Sequence, residues 1–336
     1  MTNATARRPS LARSAMKLLC AVLGLILAVL AALTLSIHSL MERMNYVGPE
    51  FGQVLPGQEG FTDSFRNVFQ AGSGGDWAPG SQDSQVLNIL LIGQDRREGE
   101  ERARSDAMIL CSYNRATGTL MLTSILRDLY VQIPGYQDNR INAAYASGGM
   151  ALLDKTLEEN LGIRVDGNVE VDFDQFSRII DLLGGVTLEL RQDEAELINH
   201  DVGGSLTEGT CRLTGIQALT YARIRKLDAD GDFSRTERQQ KVLRSLLDAC
   251  RESGFVSLAG IVDDLLPMIT TDIPAPRLAA YALELLPRMT ELNITGHKIP
   301  AEGTYSAQNI RGMSVLMADM EENQEAFLAA LWDNPG

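Results

Sequence analysis

Three apolar runs between residues 86 and 126 limit what this chain can fold into. "VLNILLIG" (86–93) is apolar almost throughout, as expected for a central strand buried on both faces. After the polar loop "QDRREGEERARS" come "DAMILCSY" (106–113) and "TLMLTSIL" (119–126), joined by the turn "NRATG" (114–118). Short connections of this kind predict antiparallel neighbours. In such a meander, the end of the first strand, the start of the second and the end of the third share one edge. Those positions hold Asp95, Arg96 and Arg97, then Arg104 and Asp106, then Arg127 and Asp128. Charge therefore gathers at one rim of an otherwise apolar sheet.

Beyond the meander, strand and helix patterns alternate. "GGMALLDKTLEENLG" (148–162) predicts a helix closed by Gly162. "DFDQFSRIIDLLGG" (172–185) predicts another, capped by Asp172, with Phe173, Phe176, Ile180 and Leu183 on one stripe. A strand follows at "VTLEL" (186–190), and a further one near "LNITGHKI" (292–299). Hydrophobic content of 45% is enough for a buried core. The expected fold is α/β, a mixed central sheet with helices on both faces, occupying residues 85–336. Residues 41–84, with "AGSGGDWAPGSQDSQ" at their end, are expected to be linker.

The N-terminus has its own signal. Leu18–Ile37 contains no charged residue, and about twenty helical residues span a bilayer's hydrocarbon core. Arg7, Arg8, Arg13 and Lys17 all precede it. The positive-inside rule then leaves residues 1–17 cytoplasmic, 18–40 as a single-pass anchor, and the rest extracytoplasmic. A cleaved signal peptide is the alternative, but the run is long for one and no small-x-small site follows. Residues 1–40 carry +4 while the remainder carries −18. So acidic a domain is not expected to bind nucleic acid. Cys111 sits in an apolar run, and a Cys211–Cys250 disulfide is permitted by the compartment without being indicated.

Against that acidic background, "YARIRKLDADGDFSRTERQQ" (221–240) gathers Arg223, Arg225, Lys226, Arg235 and Arg238. "LTYARIR" (219–225) alternates like a strand, which would send Arg223 and Arg225 to one face. A polar loop and then a helix starting near Phe233–Ser234 should follow, with Arg235, Arg238, Gln239 and Val242 on neighbouring turns. Partly buried guanidiniums repel one another unless an anion joins them, and arginine forks match phosphate oxygens. A pyrophosphate fits. The same arginines could instead pair with Asp228, Asp230, Asp232 and Glu237. Two rim carboxylates, Asp95 and Asp106, could hold Mg²⁺ beside such a phosphate, or could be ion-paired with arginine.

Taken together and in order, "LLIGQDRR", "RSDAMIL", "SILRDLYVQIPG", "RINAAYASGG", "LTYARIRK" and "GDFSRTERQQ" resemble the motifs of the LytR-CpsA-Psr family of bacterial cell-wall ligases, from about residue 86 to the C-terminus. The resemblance implies transfer of a glycan phosphate from a polyprenyl-pyrophosphate carrier to peptidoglycan, forming a phosphodiester. It implies Mg²⁺ at Asp95 and Asp106, and pyrophosphate contacts from Arg127, Arg223, Arg225, Arg235 and Gln239. Arg97 matches the charged end of the first motif, and Asp95 could also act as base. Arg140 replaces a more frequent Lys and Leu126 a frequent Pro; neither change is expected to remove activity, since Arg140 keeps its charge and Leu126 only precedes Arg127. The polyprenyl tail would need an apolar tunnel, which the stripes of 148–162 and 172–183 could line, although core packing explains them equally well.

Other functions remain in view. Water as acceptor would make the same site a polyprenyl-pyrophosphate hydrolase. Binding without turnover would make it a regulator of envelope assembly. A nucleotide enzyme is disfavoured by the lack of "GxxxxGK[ST]" and "GxGxxG". His200 and His297 lie outside the charged motifs, so histidine catalysis is not expected.

Overall fold

Apolar side chains on both sides of β2 place it deep in a sheet, and the sheet organises everything else. The computed structural model describes residue 43 and residues 45–47, 85–94, 105–228 and 232–332. Its strands are β1 (Asn45–Tyr46), β2 (Val86–Gln94), β3 (Ser105–Asn114), β4 (Thr119–Ile125), β5 (Tyr130–Val131) and β6 (Asn139–Arg140). Next come β7 (Gly167–Asp172), β8 (Val186–Leu190), β9 (Gly209–Leu213), β10 (Thr270–Thr271), β11 (Asn293–Ile299), β12 (Tyr305–Ile310) and β13 (Met313–Ala318). The helices are α1 (Asn142–Leu161), α2 (Phe173–Leu182), α3 (Gln192–Val202), α4 (Gly215–Ala222), α5 (Asp232–Leu265), α6 (Ala275–Leu285) and α7 (Met320–Trp332).

Seven strands form the central sheet in the order β1-β10-β7-β2-β3-β4-β11. The β2-β3-β4 meander is antiparallel as predicted, while β7 joins β2 and β11 joins β4 in parallel. The sheet is therefore mixed. Asn45–Tyr46, inside the stretch expected to be linker, pairs with Thr270–Thr271 at the sheet's edge. Among the described residues no helix is long and apolar enough to cross a membrane, and the apolar run Leu18–Ile37 lies outside them.

Strand alternation sorts side chains to two faces. Leu90, Ile92, Met108, Leu110, Met121 and Ile125 enter one core with Met150, Leu153 and Leu157 of α1 and Phe327 and Leu331 of α7. The α1 stripe is thus core packing. This helix starts earlier than predicted and kinks at Gly148–Gly149, where Gly149 has φ 65° and ψ −154°, a backbone that only glycine adopts readily. It ends, as predicted, at Gly162.

Helix α5 covers part of the opposite face. Gln240 Nε2 donates to the Leu122 carbonyl at 3.0 Å, to Ser124 Oγ at 2.9 Å and to the His297 carbonyl at 2.8 Å. Arg244 reaches the Ile294 carbonyl at 2.9 Å. Ile89 and Leu91 on this face are half-buried. A second apolar cluster joins the β8–β9 hairpin to α2, α3, α4 and α5 through Ile180, Leu188, Ile198, Tyr221 and Val242. Asp172 caps α2 as predicted, accepting from Gln175 N–H at 2.7 Å while Gln175 Oε1 accepts from Asp172 N–H at 3.1 Å.

One predicted strand is a helix. Residues 219–222 of "LTYARIR" close α4, and Arg223 is its C-cap. Thr214 and Gln217 form a capping box upstream, and Ala218, Leu219, Tyr221 and Ala222 are buried at helical spacing. Seven residues satisfied either period; the start signal lay outside the window. Arg223 and Arg225 consequently do not share a strand face.

Candidate active site

The predicted rim is visible where the described residues reach it. Asp106 opens β3 and Arg127 follows β4, because the antiparallel register brings those two ends together. Arg127 Nη1 meets Asp106 Oδ1 at 2.9 Å. Asp128 then bridges two arginines, Arg140 Nη1 at 2.9 Å and Arg127 Nε at 3.6 Å. Asp95, Arg96, Arg97 and Arg104 lie outside the described residues.

The first turns of α5 descend onto this rim. Arg235 is 4% exposed, and its Nη2 donates to the Asp106 carbonyl at 3.4 Å. Thr236 and Gln239 face the same space, a cleft of about 190 Å³ with Arg127 and Asp106 on one side. Phe233 forms part of the mouth, stacked on Tyr305 with ring centroids 5.1 Å apart. Ser314, Val315 and Leu316 of β13 complete the wall. Asp106, Arg127, Arg235 and Gln239, singled out from sequence, thus meet in one cleft. The β13 wall was not foreseen: nothing in "MSVLMA" carries charge or a motif.

Arg223 and Arg225 stand elsewhere. Arg223 places its guanidinium 4.7 Å from the centre of the Phe173 ring, at the start of α2. It therefore lies where β7 exits, at the same end of the sheet as the cleft but beside a different strand. Arg225 is exposed two residues further on.

Below the rim, Gln94 Nε2 and the Tyr145 hydroxyl donate to the two carboxylate oxygens of Glu170, all three residues being buried. This network ties the end of β2, just before Asp95, to β7 and α1.

Arg238 belongs to the ion-pair alternative. It is buried, with Nε 2.8 Å from Glu194 Oε1, Nη2 on Asp228 and Nη1 3.3 Å from the Ile224 carbonyl. Burial opposes its charge, but Asp228 and Glu194 outweigh that cost and raise its pKa from the ordinary value. Arg191 and Arg238 hold Asp228 below the usual carboxylate range. Glu237 pairs instead with Lys298, at 2.8 Å.

The remaining reactive groups are quiet. Burial raises the Cys111 thiol to about 12, and Cys111, Cys211 and Cys250 are all free thiols. His297 packs edge-on against Phe327 and burial lowers its pKa, while His200 is exposed beside Asp201.

The LytR_cpsA_psr family model matches residues 67–328. The chain belongs to the LytR-CpsA-Psr family. Regulatory protein MsrR of Staphylococcus aureus (strain COL) is 33% identical over 245 residues, covering 72% of this chain and 73% of MsrR. The polyisoprenyl-teichoic acid–peptidoglycan teichoic acid transferase TagT of Bacillus subtilis (strain 168) is 36% identical over 232 residues, 65% of this chain and 70% of TagT. The structure of TagT bound to LI-WTA superposes with a TM-score of 0.62 at 28% identity, covering 77% of this chain and 94% of that one. A LytR-CPS2A-psr family structure with bound octaprenyl pyrophosphate lipid gives 0.57 at 27% identity, covering 76% and 94%.

For the Mg²⁺ that the family motifs imply, the cleft fits in part. Asp106 supplies a hard oxygen donor, one oxygen of which engages Arg127. Among the described residues no three or more His, Cys, Asp or Glu side chains gather as a metal site. The other implied ligand, Asp95, lies outside them.

Proposed function

We propose that this LytR-CpsA-Psr protein is a membrane-anchored, extracytoplasmic phosphotransferase. It moves a glycan phosphate from a polyprenyl-pyrophosphate carrier to a peptidoglycan hydroxyl. The observation that carries this reading is the convergence of Arg127, Arg235 and Gln239 with Asp106 in one cleft at the sheet's end. Further support comes from TagT, a teichoic acid transferase by name, and from the family structure that holds a prenyl pyrophosphate. The half-buried Ile89 and Leu91 offer apolar surface to an isoprenoid on the α5 side of the sheet. Leu18–Ile37 would hold the domain at the membrane where such a lipid resides, with the N-terminus cytoplasmic.

The chemistry follows from the charges. An acceptor hydroxyl oxygen bonds to the glycan-bearing phosphorus while the bond from that phosphorus to the bridging oxygen breaks. Polyprenyl phosphate departs, and the hydroxyl proton passes to Asp95 or to water. Arg127 and Arg235 orient the two phosphates and offset the charge that grows on the bridging oxygen. Gln239 adds an uncharged donor. Arg223, at the same end of the sheet, would reach the donor from the β7 side, and Arg225, exposed two residues further on, would add a second charge. Mg²⁺ held by Asp95 and Asp106 would neutralise phosphate charge when bound.

The test is a transfer assay with the full chain in detergent, a lipid-pyrophosphate-linked saccharide, Mg²⁺ and a peptidoglycan oligosaccharide. Mass spectrometry should find a phosphodiester conjugate that Arg127→Ala and Asp95→Ala each reduce by about 100-fold or more. Cleaved lipid without conjugate would make the protein a hydrolase. Lipid binding with no turnover would place it with regulators, as the name of MsrR does for that protein.

A further inference from the structure

Arg311 sits at the tip of the β12–β13 hairpin with φ +54°, the one non-glycine residue among those described to have a positive φ. Gly312 follows at φ +78°, so both central residues of this two-residue loop are left-handed, as its mirror-type turn requires. Asparagine or glycine is the usual occupant of the first position, and a residue with a long side chain is strained there. Strain kept at a defined place directs attention to the side chain. That side chain leaves its own hairpin. Arg311 Nη2 donates to the Tyr130 hydroxyl at 2.8 Å and to the Asp138 carbonyl, with the guanidinium 6.0 Å from the Tyr130 ring centre. It therefore clasps β12–β13 to the β5–β6 hairpin.

What lies between the two hairpins is the segment that carries Arg127. On one side Leu316 N–H donates to the Asp128 carbonyl at 2.9 Å, and Leu129 bridges to Leu316. On the other, Ile141 N–H donates to the Leu129 carbonyl at 2.8 Å and Arg140 holds Asp128 at 2.9 Å. Upstream, Leu126 N–H donates to the Ile299 carbonyl at 2.8 Å. The backbone beside Arg127 is fixed from three directions, and β13 is also a wall of the cleft.

We infer that Arg311 is a positioning residue: its clasp holds β13 against residues 128–129 and so sets the Arg127 guanidinium where it grips a pyrophosphate. This rests on the reading of the cleft as the pyrophosphate site. The guanidinium acts through the hairpin and touches no reactant.

Arg311→Gly separates the clasp from the turn, because glycine keeps the left-handed turn free of strain while removing the guanidinium. The probe is farnesyl pyrophosphate, titrated calorimetrically into the full chain in detergent, with Arg127→Ala as reference. The native chain should bind, and Arg127→Ala should bind weakly. Arg311→Gly should weaken binding about 5- to 10-fold, which corresponds to about 1–1.4 kcal/mol, with no fall in thermal midpoint. Exchange at the Leu316 amide should quicken in Arg311→Gly, and Arg311→Lys, which keeps a donor, should recover part of the affinity. Native affinity in Arg311→Gly, or unchanged exchange at Leu316, would overturn the clasp while leaving the pyrophosphate site standing. Equal, negligible binding by the native chain and Arg127→Ala would remove the site reading, and the clasp with it.

Discussion

Arg235 and Arg238 lie one turn apart on α5, and both are almost wholly buried, at 4% and 3% exposure. Their surroundings divide them. Arg238 meets the carboxylates of Glu194 and Asp228, brought to it by α3 and by the loop after α4. Arg235 turns to the cleft and donates to a neutral carbonyl, that of Asp106, beside a second guanidinium on Arg127. Arg238 is enclosed by carboxylates away from the cleft, whereas Arg235 lines the cleft wall together with Arg127. Under the proposed function, this difference separates scaffold from site within the basic stretch 221–240.

The strongest way to break that comparison is to remove each arginine in turn. Arg238→Ala strips the buried Glu194 of its nearer cation, leaving only Arg191 at 4.0 Å, and should cost about 3–5 kcal/mol in urea unfolding. Arg235→Ala should cost clearly less stability and reduce transfer by about 100-fold. Equal destabilisation by the two, with transfer falling only as far as unfolding explains, would erase the distinction.

The sheet repeats the contrast without charge. Leu90 and Leu91 are consecutive on β2 and point to opposite faces; Leu90 is 0% exposed in the α1–α7 core, and Leu91 is half-buried on the α5 side. Leu90→Ala should cost about 2–5 kcal/mol, since a packed core collapses only partly around a cavity. Leu91→Ala should cost less, and it should weaken binding of a long prenyl pyrophosphate more than that of a short one. Calorimetric titration with prenyl chains of two lengths reads this. An identical loss for both lengths would mean that Leu91 merely packs.

Much of the scaffold was legible in the sequence because its signals are local. The strands at 86–94, 105–114, 119–125, 186–190 and 293–299 came from apolar runs with turn residues between them, and the Asp172 cap from its place at the head of an apolar helical stripe. Asp106 and Arg127 could be placed together because an antiparallel meander fixes which ends meet. What was misread or missed has a physical reason. "LTYARIR" alternates over too few residues to exclude a helix, and its start signal, Thr214 with Gln217, lies upstream. Arg238 looks like Arg235 until α3 supplies Glu194. Ser314–Leu316 enters the cleft by pairing with residues far back in the chain, a contact that no local pattern encodes.

Asp154 offers the smallest and subtlest contrast, a carboxyl that meets an amide where Asp228 meets guanidiniums. Asn168 Nδ2 donates to Asp154 Oδ2 and to Asp272 Oδ2, each at 2.8 Å. Burial pushes the Asp154 carboxyl up to about 7; the Asn168 hydrogen bond opposes this, while Asp272 and Glu158 add to it. The folded state thus keeps a proton that the unfolded state releases near its ordinary value of 3.8. The resulting stabilisation is complete below that lower value and fades as pH rises through about 7. Asp154→Asn carries no charge at either end of this range. It should nearly match the native protein at pH 4 and exceed it at pH 8, the gap widening across that whole range. Urea midpoints at the two pH values measure this difference directly. If native and variant proteins changed in parallel, Asp154 would be ionised in the fold, and its cluster would behave like the charge-matched one around Asp228.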